Sequence, residues 1–154
     1  MTRNDVSQSL RKYLTKENIR YDYIDQNDLI GIPNERIPSK IQTINIVIVP
    51  QDDSFMVYAF APISIDEAYK NEVLRYLNLI NDNCLLGSFS LNEDSLVKWK
   101  YCVACNGLTS LPDDLIMRPI VVLLGDFTRF GDGIAALSMG FSSAEVEFEK
   151  AHEK

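Results

Sequence analysis

The side chains whose types and spacing could do covalent or metal chemistry are few. They are Cys102-Val103-Ala104-Cys105, the serine of Ala136-Leu137-Ser138-Met139-Gly140, the Gly131-Asp132-Gly133 segment, and the acidic pairs Asp52-Asp53 and Asp113-Asp114. A C-x-x-C pair acts as a redox centre or half a zinc site only if both sulfurs face one way, and a redox pair wants its first cysteine at a helix N-terminus, where the dipole lowers the thiol pKa. Here the pair falls on an extended run ended by Asn106-Gly107. Residues three apart on a strand point to opposite faces, so the sulfurs diverge. Cys84 and His152 would bring the ligand count to four without the spacing of a zinc site. Ser138 has the spacing of a nucleophile elbow, but an elbow needs a strand-to-helix turn and a histidine downstream. Ser138 closes a helical stretch instead, and the only histidine, His152, lies in the final residues. Gly131-x-Gly133 lacks the third glycine or the lysine of a phosphate cradle. Asp113-Asp114 complements a helix N-terminus, and Asp52-Asp53 belongs to a turn. The expectation is no catalytic centre, no metal and no cofactor.

The elements that hold these residues follow from hydrophobic spacing. Val6, Leu10, Tyr13 and Leu14 mark a short amphipathic helix, capped by Asn4 or Asp5 and stopped near Asn18. Tyr21–Ile24 and Leu29–Ile32 are weak strands, and Pro33 to Pro38 predicts a mobile loop. Ile44, Ile46 and Ile48 alternate with Asn45, Val47 and Val49; after the turn Gln51–Ser54 a second run covers Phe55 to Ala61, giving an antiparallel hairpin. Ser64-x-x-Glu67 has capping-box spacing ahead of Tyr69, Val73, Leu77, Ile80 and Cys84, one face of a long helix. A second hairpin places Phe89 and Leu91 against Val97, Trp99, Tyr101 and Val103. Ser110 to Asp113 offers a cap for a last helix, which Pro119 must kink or restart and Gly131-Asp132-Gly133 interrupts. Ser142 to Glu145 caps a short acidic tail helix. Hairpins separated by a helix indicate one α+β domain with a mainly antiparallel sheet over residues 1–141, with a helical tail over 142–154.

Composition limits the function classes. The 154 residues carry a net charge of −7, which disfavours phosphate backbones and anionic lipids, so neither nucleic acid nor membrane is an expected partner. No apolar run approaches the ~20 residues of a membrane span. Three cysteines are an odd number and make no disulfide framework, and no secretory signal is visible, so a cytoplasmic location is expected. A chain of this size hides about 69% of its unfolded surface, enough for a core without staples.

The uneven feature is the middle hairpin. Phe55, Val57, Ala59 and Ala61 share one strand face while Met56, Tyr58 and Phe60 share the other, and the isoleucines of the preceding strand lie opposite Val47 and Val49. A strand with one wet face alternates apolar with polar residues. Burial of each such side chain contributes about 1.5–3 kcal/mol, so both faces call for cover. Either the chain's own helices cover both, or a second subunit or protein partner covers part of one.

Tyr76-Leu77-Asn78-x-x-Asn81, then Gly87-Ser88-Phe89-Ser90-Leu91, then Val97-Lys98-Trp99-Lys100-Tyr101 and the closing Gly140-Phe141-Ser142-Ser143-Ala144-Glu145 together resemble the YbjN family of bacterial sensory-transduction regulators. The resemblance runs from about Leu10 to Ala151. It implies a fold like the type III secretion chaperones, α-β-β-β-α-β-β-α, in small acidic proteins that commonly dimerise and have no established enzymatic activity or cofactor. Pro33 to Pro38 and Pro119 depart from the family pattern. The expected function is therefore a non-enzymatic protein-binding module, a chaperone-like or regulatory adaptor acting as a homodimer with a possible protein client. Met56, Tyr58 and Phe60 are its interface candidates. A small-molecule sensor is the alternative, with its ligand between the sheet and the C-terminal helix, against Trp99 and Tyr101.

Overall fold

Val6, Leu10, Tyr13 and Leu14 form the buried stripe of helix α1 (Arg3–Lys16) in the computed structural model, which describes residues 1–154. Thr2 caps this helix rather than Asn4 or Asp5. The Asp5 N–H donates to Thr2 Oγ1 at 3.2 Å, and the Thr2 N–H donates to Asp5 Oδ2 at 3.0 Å. Asn18 follows the helix with φ of 56°, as its tolerance of the left-handed region predicts.

The weak β signal resolves into two strands, β1 (Asp22–Ile24) and β2 (Leu29–Arg36). The expected loop after Pro33 is instead the continuation of β2, whose register on its neighbour shifts between Ile32 and Glu35. Pro33 is tolerated because β1 pairs only with Leu29, Ile30 and Gly31. Beyond Gly31 this side of β2 is an edge, where a missing N–H costs little. Strands β3 (Thr43–Gln51) and β4 (Ser54–Ser64) form the central hairpin. Gln51 pairs with Ser54, so the turn is the two residues Asp52-Asp53, with Asp53 at φ 53°.

The Ser64–Glu67 capping box does not form. Pairing with Leu96 keeps Ser64 extended, and its hydroxyl donates to Asp94 O; a 3₁₀ turn (Glu67–Tyr69) then leads into α2 (Lys70–Asn83). The second hairpin is β5 (Ser88–Leu91) and β6 (Leu96–Ala104). Helix α3 (Asp113–Ser138) starts at Pro112 with no side-chain cap, so the Ser110 cap is also absent. α3 runs unbroken through Pro119, Gly131 and Gly133. Pro119 removes one helical hydrogen bond, an effect of about 3 kcal/mol, but Ile116, Leu123, Phe127, Phe130 and Ile134 on both sides of it are buried and fix the helix in place. The last helix, α4 (Ala144–His152), is capped by Ser143 rather than Ser142; the Val146 N–H donates to Ser143 Oγ at 3.4 Å.

All neighbours in the sheet are antiparallel, in the order β1-β2-β3-β4-β6-β5. Helices α1, α2 and α3 pack on one side of it, and α4 lies against α2 and α3. The glycines of α3 serve close approach rather than interruption. A Cβ on Gly133 would sit 2.6 Å from Tyr76 Cζ, and the Tyr76 hydroxyl donates to Phe130 O at 3.2 Å across the α2–α3 contact.

This contact predicts opposite outcomes for two glycines in one helix. Gly133→Ala, which must displace the fully buried Tyr76 ring, is expected to lower unfolding free energy by about 1–2 kcal/mol despite its better helix propensity. Gly125→Ala, with open space around its Cβ, is expected to raise it by about 0.5–1 kcal/mol. Urea denaturation midpoints at constant slope measure both.

Candidate functional site

Period-two alternation assigns each strand residue to one of two sheet faces. Ile44, Ile46 and Ile48 of β3, Phe55, Val57 and Ala59 of β4, and Val97, Trp99 and Val103 of β6 are buried under the helices. Their sequence neighbours form the opposite face, which no helix covers. Cross-strand register arranges that face in rows. One row is Ile24, Leu29, Val49, Met56 and Cys102; the next is Asp22, Gly31, Val47, Tyr58, Lys100 and Ser88. A third is Asn45, Phe60, Lys98 and Ser90.

Met56, Tyr58 and Phe60 are therefore neighbours along β4 on the uncovered face, partly exposed and outside the packed core. Tyr58 and Phe60 stack with ring centroids 6.5 Å apart, and Lys98 Nζ lies 5.7 Å from the Tyr58 centroid. Leu29 and Ile24 extend the apolar patch toward β1, and Ile24 is 50% exposed. Sequence reasoning missed these two because each sits in a strand of weak signal; Leu29 is visible only once Ile30 and Ile32 are assigned to the core. Lys98 and Lys100 bound the patch on β6 and Asp22 bounds it on β1, none of them with an ion-pair partner.

The sheet's far edge is closed by one side chain. Asn81, at the end of α2, donates from Nδ2 to Phe89 O at 2.8 Å and accepts from the Phe89 N–H at 2.8 Å. Its amide thus takes the place of a neighbouring strand at the centre of β5.

The residues that could have done chemistry are held apart. Cys102 is exposed on the uncovered face, whereas Cys105 is buried with its thiol pushed up by burial, away from the reactive thiolate. Ser138 Oγ donates to Ala135 O at 2.7 Å, within its own helix, and His152 Nδ1 lies 3.0 Å from Phe148 O on α4.

The expected ligand space between the sheet and the C-terminal helix does not form at Trp99. Trp99 is fully buried, stacks on Tyr101 and presses against Gly87, while its Nε1–H donates to Asp126 Oδ2 at 2.8 Å. A fully packed indole leaves no room there. A cleft between sheet and α3 is found elsewhere, beside the edge of β2 that β1 leaves free. It has a volume of about 710 Å³, with Ile32, Ile46, Ile120 and Leu124 along its walls and Arg20 and Glu35 among its polar residues.

Residues 7–135 match the YbjN family, described as "Putative bacterial sensory transduction regulator". No curated protein matches the sequence. Among solved structures, the crystal structure of YbjN from E. coli is similar with a TM-score of 0.56 at 15% identity, over 96% of this chain and 92% of that one. A chain of the ExsC–ExsE complex is similar with a TM-score of 0.54 at 11% identity, over 84% of this chain and 96% of that one. At these identities the likeness is one of fold, the type III secretion chaperone-like α+β arrangement.

Two outcomes test the joints around this face. Asn81→Ala leaves the Phe89 N–H and C=O without partners and is expected to cost about 1–3 kcal/mol in chemical denaturation. Asp126 has its carboxyl pKa raised above the ordinary 3.8 by burial, against the opposing Trp99 hydrogen bond and Arg129 charge. Its stabilising contribution is therefore complete below 3.8 and is lost as pH rises through the raised value. Asp126→Asn, which keeps an acceptor for Trp99, should gain stability relative to the native protein as pH rises from about 4 toward neutrality. Melting temperatures across that range give the comparison.

Proposed function

The chain belongs to the YbjN family, and from that membership we propose that it is a non-enzymatic protein-binding module, a chaperone-like or regulatory adaptor that works as a homodimer in the cytoplasm. The observation carrying this reading is the uncovered sheet face with Met56, Tyr58 and Phe60 at its centre. Contiguous apolar surface of this kind, rimmed by charge, marks a protein interaction site. One structural neighbour is a chain taken from a two-protein complex, which supports a protein client as a further partner. The net charge of −7 argues against nucleic acid and anionic membrane, and no helix is long and apolar enough to cross a bilayer.

A second reading, a small-molecule sensor, is favoured by the cleft of about 710 Å³ between β2, β3 and α3. That volume lies in the range of pockets that hold metabolite-sized ligands. Thermal-shift screening against a broad metabolite panel supports it if a compound raises the melting temperature and Ile120→Trp, which narrows the cleft at its apolar wall, weakens the response. A flat response across the panel counts against it.

The leading reading is tested by replacing Tyr58 and Phe60 with serine. Neither ring contributes to the packed core, so the double variant is expected to keep its circular dichroism spectrum and solubility while its self-association weakens, as followed by light scattering over a concentration series. A native protein that is monomeric throughout that series removes the homodimer.

A further inference from the structure

We infer that the partner on the uncovered face is a second copy of this chain, docked face to face about a two-fold axis that runs parallel to the strands between β3 and β4. This rests on the homodimer reading and adds its register.

Three features of the face make it complementary to itself in this orientation alone. The strand order β1-β2-β3-β4-β6-β5 places the β3–β4 boundary at the middle of the sheet. An axis there lays β3 of one copy on β4 of the other and β2 on β6. Small side chains then meet large ones. The outward residues of β3 are Asn45, Val47 and Val49, and those of β4 paired with them are Phe60, Tyr58 and Met56. Each large β4 side chain faces a smaller one of the partner in its own row, which is the interdigitation that aligned sheet packing requires.

The charges also match. In the middle row Lys100 lies one strand beyond the apolar centre on one side, and Gly31 lies one strand beyond it on the other. Gly31 has open space where a side chain would stand, so each Lys100 enters the notch over the partner copy's Gly31, beside Asp22 of the same row. The axis makes this pair twice, as an isologous interface must. An axis perpendicular to the strands would set Lys100 against Lys100 instead. Five strand spacings by about eight residues give a footprint of roughly 600 Å², which side-chain relief brings toward the roughly 800 Å² per partner of a standard interface.

The test uses the full chain and sedimentation equilibrium. Gly31→Val fills the notch without a clash inside one copy, and is expected to leave the melting profile of the monomer intact while weakening the dimer roughly tenfold or more. Lys100→Glu and Asp22→Lys are each expected to weaken it several-fold, more so at low salt, and their combination to restore it. The register is overturned if Gly31→Val leaves dimerisation unchanged, if the combined charge exchange fails to recover it, or if Lys100→Glu alone strengthens it, the result for lysines facing each other. If Tyr58→Ser with Phe60→Ser dissolves the dimer while those three variants do nothing, the face is the interface but the axis is wrong. A monomeric native protein overturns both.

Discussion

Alternation along three adjacent strands commits Ile46, Val57 and Trp99 to the helices, and by the same geometry commits Asn45, Tyr58 and Lys98 or Lys100 to the other side. Every helix that touches the sheet lies on one side of it. With 154 residues, the chain supplies one helical layer and leaves the second face to be solved by chemistry. In an ordinary half-wet sheet that solution is polar alternation. Here the middle two strands carry valine, methionine, tyrosine and phenylalanine, and only the flanking strands carry charge. The polar-to-apolar gradient across the uncovered face is the feature from which the functional reading follows.

Two polar side chains complete joints that apolar packing alone leaves open. Asn81 pairs with both backbone groups of Phe89 and so couples the end of α2 to β5. Asp126 accepts from the Trp99 indole and couples α3 to the centre of β6. Each satisfies a group that would otherwise be buried without a partner, a penalty larger than the net gain of an ordinary hydrogen bond. Together they tie helices α2 and α3 to the second hairpin. The Gly133–Tyr76 approach lets α2 and α3 pack closely against each other.

The α+β class, the two hairpins and most of the core were legible in the sequence, because periods of two and of 3.6 are local signals. Met56, Tyr58 and Phe60 were legible as an anomaly, since alternation alone shows that both faces of β4 are apolar. What was not legible is whatever depends on partners distant in sequence. Ser64 satisfies a local capping pattern, but pairing with β6 holds it in a strand. Pro119 is a local helix breaker, yet tertiary burial on both sides overrides it. Pro33 argued for a loop because nothing local reveals that β1 is three residues long and leaves β2 as an edge. Trp99 and Tyr101 suggested a cavity wall, whereas Gly87 and Asp126 close around the indole.

The treatment of the sheet margins has a consequence for how far assembly can go. A bare strand at either side would accept another chain by backbone pairing, and repetition of that step builds ribbons and fibrils without limit. At β5 the position is stoppered by the amide of Asn81, and on the opposite flank β1 is short and Pro33 lacks the N–H that an incoming strand would need. Sideways growth is thus opposed at both margins, which favours a finite particle over a polymer for whatever association the broad face supports.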